Sequence, residues 1–168
     1  MLRMDRVVGA HREEVVITGY ELLKYVHVLM AIVAVGFNAS YAIWLRRAAW
    51  TPEHRAFALR GVKFLDDRFA NPAYGVLLLT GLIMVLTTPG LHLTTFWVLV
   101  ALVLFVVTVI LAAGVYTPTL KKQIETLETE GPGSERYLEL SRRSTVSGIA
   151  LGVIVVVIVF LMVTKPTL

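Results

Sequence analysis

A chain of 168 residues that is 57% hydrophobic, with a mean hydropathy of +0.73, is too apolar for an ordinary water-soluble domain. It has no cysteine, which excludes disulfides, iron–sulfur clusters, covalently attached c-type haem and thiolate metal sites. The formal net charge of +4 accompanies no nucleic-acid motif, and its distribution reads instead as a membrane-topology signal.

In chain order, the first 20 residues are polar and lack an apolar core of their own. Four apolar runs follow, at Leu22–Leu45, Phe69–Thr88, Leu93–Tyr116 and Thr145–Val163. Each is long enough to cross about 30 Å of hydrocarbon as a helix. The pattern predicts an all-α membrane protein. Residues 1–168 form a single domain, a four-transmembrane-helix up-down bundle with cytoplasmic helical extensions.

Span one carries His27, and an ionisable side chain at that depth is costly and usually functional or internally paired. At 100° per residue, Tyr20, Lys24, His27, Ala31, Ala34, Asn38 and Tyr41 share one narrow face. Leu22, Val26, Leu29, Val33, Phe37 and Trp44 share the other. The first stripe is predicted to face protein and the second to face lipid.

Between spans one and two, Thr51-Pro52-Glu53 has the form of a helix start, with Thr51 as N-cap. The helix it opens carries Phe57, Gly61, Phe64, Leu65 and Phe69 along one side, and Asn71-Pro72 predicts a kink or a short break. Asp66-Asp67-Arg68 is expected at the interface, ion-paired with Arg46 or Arg47. Span two ends in a tight turn at Thr88-Pro89-Gly90, and His92 follows just before span three.

Span three is expected to end near Thr117-Pro118. Beyond it Leu120, Ile124 and Leu127 recur at helical spacing, and Gly131-Pro132-Gly133 is a break. Ser134 is placed to cap a helix running through Glu139 and Arg143 into span four. Ser144, Gly148 and Gly152 there, and Gly36 and Ser40 in span one, are small-residue ladders that let helices approach closely. Packing within the monomer, a homodimer or a membrane-complex partner would each use them.

Eleven Lys and Arg lie in the two long loops, from Arg46 to Arg68 and from Lys121 to Arg143. Five lie on the other side, and the loop from Thr88 to Thr94 has none. By the positive-inside rule both long loops are cytoplasmic and both termini are outside.

This topology places His27, His92, Met30, Met84 and Met162 towards the outer face. Two imidazoles suit axial ligation of haem iron, and Lys24, one turn above His27, suits a propionate. Asn38 and Tyr41 would line the bundle more deeply. The leading expectation is therefore a haem b or related redox cofactor held by His27, with His92 as a second ligand. Imidazole with thioether also suits copper, which makes a copper-handling protein the alternative. A non-catalytic accessory subunit of a larger membrane complex is the reading from another class. Nothing in the chain has the form of a nucleophilic triad or a phosphate-binding loop.

Two stretches resemble a broad group of small bacterial membrane proteins. One is Leu23-Lys24-Tyr25-Val26-His27-Val28-Leu29-Met30-Ala31 with Gly36 and Arg46-Arg47. The other is Asp67-Arg68-Phe69-Ala70-Asn71-Pro72 with Thr80-Gly81-Leu82. The group includes HemJ-type protoporphyrinogen oxidases, CopD-type copper-resistance proteins and an uncharacterised predicted integral-membrane family, which the chain resembles most. The resemblance implies a four-helix unit in the bacterial cytoplasmic membrane in which the first-span histidine matters; in the HemJ-type oxidases that histidine, to which His27 corresponds, is linked to haem and activity. The HemJ-type enzymes carry a lysine just after a Leu-His pair at the start of span three. This chain departs from them there, with Leu91-His92-Leu93-Thr94.

Overall fold

A computed structural model describes residues 18–167. Every element among them is helical. Helix α1 runs Gly19–Ala49, α2 Arg55–Leu65, α3 Asn71–Thr87, α4 Phe96–Leu111, α5 Thr117–Thr129 and α6 Glu135–Thr164. A short turn of 3-10 helix at Pro52–His54 leads into α2, so Thr51 does not cap it directly; its carbonyl accepts from the His54 N–H instead.

Four helical rods are long and apolar enough to cross a membrane: Gly19–Trp50, Arg55–Thr87, Phe96–Thr129 and Glu135–Thr164. The second and third are longer than the apolar runs they contain, because α2 and α5 continue them past the apolar segment. The break expected at Asn71-Pro72 and the end expected at Thr117-Pro118 are both replaced by widened π turns, Asp66–Ala70 and Ala112–Tyr116. In each, the backbone N–H just before the proline reaches back five residues, Asn71 to Asp66 and Thr117 to Ala112. A proline has no N–H to give, and its ring crowds the carbonyl four residues back. One residue of slack relieves that crowding without ending the helix.

The helix ends follow the chemistry of their residues. Thr18 opens α1 with a capping box: Glu21 N–H donates to its hydroxyl at 3.2 Å and its own N–H donates to the Glu21 carboxylate at 2.8 Å. Ser134 caps α6 through the Tyr137 N–H at 3.1 Å, as its position predicts.

The tightest packing lies at the end that carries the basic loops. There Tyr41, Leu59, Val62, Tyr116, Leu120, Tyr137 and Leu151 form one buried cluster drawn from α1, α2, the second π turn, α5 and α6. Ser144 donates to the Gln123 side chain at 2.7 Å and ties α6 to α5. A Cβ on Gly148 would meet the Tyr116 ring at 3.4 Å, so this rung of the small-residue ladder is used inside the monomer. Gly36, by contrast, is exposed with nothing near it.

Towards the opposite end the bundle loosens. Helix α1 packs on α3, and α4 packs on α6, while α1 and α6 meet more narrowly. Among the described residues α3 and α4 bring no pair of Cα atoms within 8 Å, although a short turn joins them. Tyr74 and Phe105 touch edge to face across this gap, with ring centroids 6.1 Å apart.

Candidate functional site

From His27 onward the polar stripe of span one faces protein, while Tyr20 and Lys24 at its start are exposed. Ala34 and Tyr41 are buried, and His27, Ala31 and Asn38 are half-buried. On the opposite face Leu22, Leu29 and Trp44 are exposed as expected, but Phe37 is not. Tyr25, Val28, Ile32 and Ile43 are exposed as well, whereas Phe37 packs against the core and its ring lies 5.4 Å from that of Phe69.

His27 is seated against α3. Its Nδ1 is 2.8 Å from the hydroxyl of Thr80. That hydroxyl also donates to the Val76 carbonyl at 2.7 Å. A threonine has one hydroxyl hydrogen, and here it is committed to the backbone. With that hydrogen on Val76, Thr80 accepts from the tautomer of His27 that carries its proton on Nδ1, the form in which Nε2 keeps its lone pair. Nε2 meets no side-chain partner among the described residues, and the Leu77 backbone lies beside the ring. The next residue on α3 is Gly81, and a Cβ there would lie 3.1 Å from His27 Cε1. Thr80 fixes the ring and Gly81 makes room for it. This is how ligating histidines are commonly held, with one nitrogen donating to a fixed acceptor and the other presented outward.

The structure does not join the remaining expected ligands to His27. His92 sits on the exposed turn after α3, where its backbone N–H donates to the Thr95 hydroxyl at 3.2 Å and its carbonyl accepts from the Thr95 N–H at 2.9 Å. It lines an open depression of about 650 Å³ formed by residues 85–94. Thr80, which marks the level of His27, is seven residues before the end of α3 at Thr87, about 10 Å along the axis. Lys24 is exposed and makes no ion pair among the described residues. Met30, Met84 and Met162 are each half-buried. No group of three or more His, Cys, Asp or Glu stands in metal-binding proximity among the described residues.

Asn38 and Tyr41 belong to a second polar cluster, nearer the basic end. The Asn38 amide donates to the Tyr74 hydroxyl at 2.7 Å and to the Ala34 carbonyl at 2.9 Å. The Tyr41 hydroxyl is buried without a partner among the described residues. Asp66, Tyr74 and Tyr116 lie within electrostatic reach of it. Asp66 is 7% exposed and is held by the Asn71 amide at 3.4 Å. The expected interfacial pairing with Arg46 or Arg47 is not formed; Asp67 pairs instead with Lys63 one turn back. Sequence reasoning missed Thr80, Gly81 and Tyr74 as partners. A threonine, a glycine and a tyrosine inside an apolar run give no periodic signal that points across to another helix.

These features define an all-helical integral membrane protein with four candidate spans and a histidine presented inside the bundle. The chain belongs to the family described as "Predicted integral membrane protein (DUF2269)", whose model matches residues 21–166. No curated protein and no solved structure matches it.

Proposed function

We propose that the protein binds a b-type haem through His27, as a small redox protein of the bacterial cytoplasmic membrane. The observation that carries this reading is the seating of the imidazole: Nδ1 lies 2.8 Å from the Thr80 hydroxyl, which also reaches the Val76 carbonyl at 2.7 Å, and in the tautomer that donates from Nδ1 to Thr80 the Nε2 atom presents its lone pair. The residues present fit one axial ligand. The likeness of the first-span stretch around His27 to that of the HemJ-type oxidases points the same way. When bound, a haem would supply one-electron chemistry; His27 would hold its iron, with Thr80 orienting the imidazole and Gly81 leaving the ring its place. The basic loops face the cytoplasm in this reading, which sets His27 in the outer half of the membrane.

The test is the visible absorption spectrum of protein purified after haem-replete expression. A Soret band that disappears in His27→Ala, with the variant still folded, is the expected result. A colourless wild-type protein, or a band that survives His27→Ala unchanged, would overturn the assignment.

A further inference from the structure

At the basic end, a cleft of about 180 Å³ lies between α5 and α6. It is lined by Gly114, Pro118, Thr119, Lys122, Leu140 and Arg143. The two helices each contribute a cation, and neither Lys122 nor Arg143 is ion-paired among the described residues. Like charges are not gathered around an unfilled cleft for stability, since each repels the other. Two features give the cleft its shape. Gly114 lies in the π turn and brings no side chain into it, and Thr119, although only 4% exposed, is one of its lining residues. The cleft sits where the apolar segment of the third rod gives way to the polar α5, the level at which lipid headgroups are expected.

The surfaces next to it on the membrane side are apolar and open. Ile110 is one turn from Gly114 towards the middle of span three and is 65% exposed. Val146 is about one turn from Arg143 in the same sense along α6 and is 60% exposed. Cations at headgroup level above exposed aliphatic side chains match a molecule with an anionic phosphate and acyl chains. Basic pockets between membrane helices hold lipid headgroups by this combination.

We propose that this cleft is a binding site for the phosphate group of an anionic phospholipid, with Lys122 and Arg143 as its charge partners and the acyl chains lying over Ile110 and Val146. Arg143 offers a forked pair of N–H donors to phosphate oxygens, and Lys122 a point charge. The site is independent of His27.

The experiment uses the full chain reconstituted with phosphatidylglycerol and phosphatidylcholine and analysed by native mass spectrometry after stepwise delipidation. Wild-type protein is expected to retain phosphatidylglycerol selectively. The double variant Lys122→Ala/Arg143→Ala is expected to lose that retention about tenfold or more, since each cation at the surface favours anionic lipid severalfold. Lys121→Ala/Arg142→Ala removes two neighbouring charges that do not line the cleft and is expected to behave as wild type. Lys122→Arg/Arg143→Lys keeps both charges and should retain the lipid, which separates lost binding from lost folding. Equal loss in both alanine pairs, or no loss in the cleft pair, would overturn the site. Displacement of the lipid by an equal concentration of inorganic phosphate would overturn the lipid and assign the cleft to free phosphate.

Discussion

The Nδ1 of His27 on α1 stands 2.8 Å from the Thr80 hydroxyl on α3, and that hydroxyl gives its only hydrogen to the Val76 carbonyl 2.7 Å away. One side-chain bond thus joins two membrane helices and orients the His27 ring. Thr80→Val removes the acceptor while keeping the shape. The expected outcome is a folded protein that binds haem about 10 to 100 times more weakly, because the ring loses its orientation. Thr80→Ser should bind as wild type. Haem titration followed by absorbance checks both.

Gly81 supplies the second constraint on the same ring. An added Cβ would lie 3.1 Å from Cε1, so Gly81→Ala forces the imidazole to give way by a few tenths of an ångström. Gly81→Leu cannot be absorbed that way and should displace the ring from Thr80. We expect the alanine variant to keep a weakened site and the leucine variant to lose it, with melting temperatures in detergent showing whether helix pairing survives.

The Asn38–Tyr74 bond, 2.7 Å long, should stabilise the α1–α3 pair by about 0.6 to 2 kcal/mol, the range found for polar bonds between membrane helices. A double-mutant cycle of Asn38→Ala and Tyr74→Phe, read by unfolding in mixed detergent micelles, measures it. Coupling indistinguishable from zero would show that the two side chains act separately.

The adjacent carboxyl groups should differ in worth. Asp67 pairs with Lys63 at an exposed site, so Lys63→Ala should change stability by less than about 1 kcal/mol. Asp66 is buried with only a 3.4 Å contact to Asn71. Asp66→Asn removes the carboxyl's capacity for charge while keeping its shape, and should raise stability by about 1 kcal/mol. The same unfolding assay distinguishes the two. A large loss in Asp66→Asn would mean that the carboxyl is compensated by a group other than Asn71.

The orientation is tested by thiol labelling in intact cells. Gly133→Cys, in the basic loop, should resist an impermeant reagent, and Thr94→Cys, on the opposite turn, should react. Thr94 is the better outer position because Gly90 has φ of 78°, which a cysteine would strain. The reverse pattern would place the basic loops outside.

Much of the fold was legible because lipid is a demanding solvent. Uninterrupted apolar runs forced four helices, and the polar stripe of α1 placed His27, Ala34, Asn38 and Tyr41 towards protein. Two things escaped. The prolines at 72 and 118 read as breaks, yet a π turn before each lets the rod continue, and sequence periodicity does not register one residue of slack. The site's partners came from other helices, and which residues of α3 meet His27 depends on the rotation of that helix. In Val76–Leu86 only Thr80 and Gly81 interrupt the apolar run, and two adjacent residues give no periodicity from which to read a helix rotation. The assignment of Phe37 to lipid failed for a related reason: an aromatic side chain reaches around a helix face to pack, as Phe37 does on Phe69.

The central claim is that His27 Nε2 is an iron ligand. It is tested most directly by replacing the imidazole and then returning it. In His27→Gly the reduced-minus-oxidised haem spectrum should vanish or become that of a weakly held haem, and free imidazole should restore the wild-type bands by occupying the space beside Thr80. A wild-type spectrum in His27→Gly without imidazole, or no haem bands in wild-type protein purified from haem-replete cells, would contradict it.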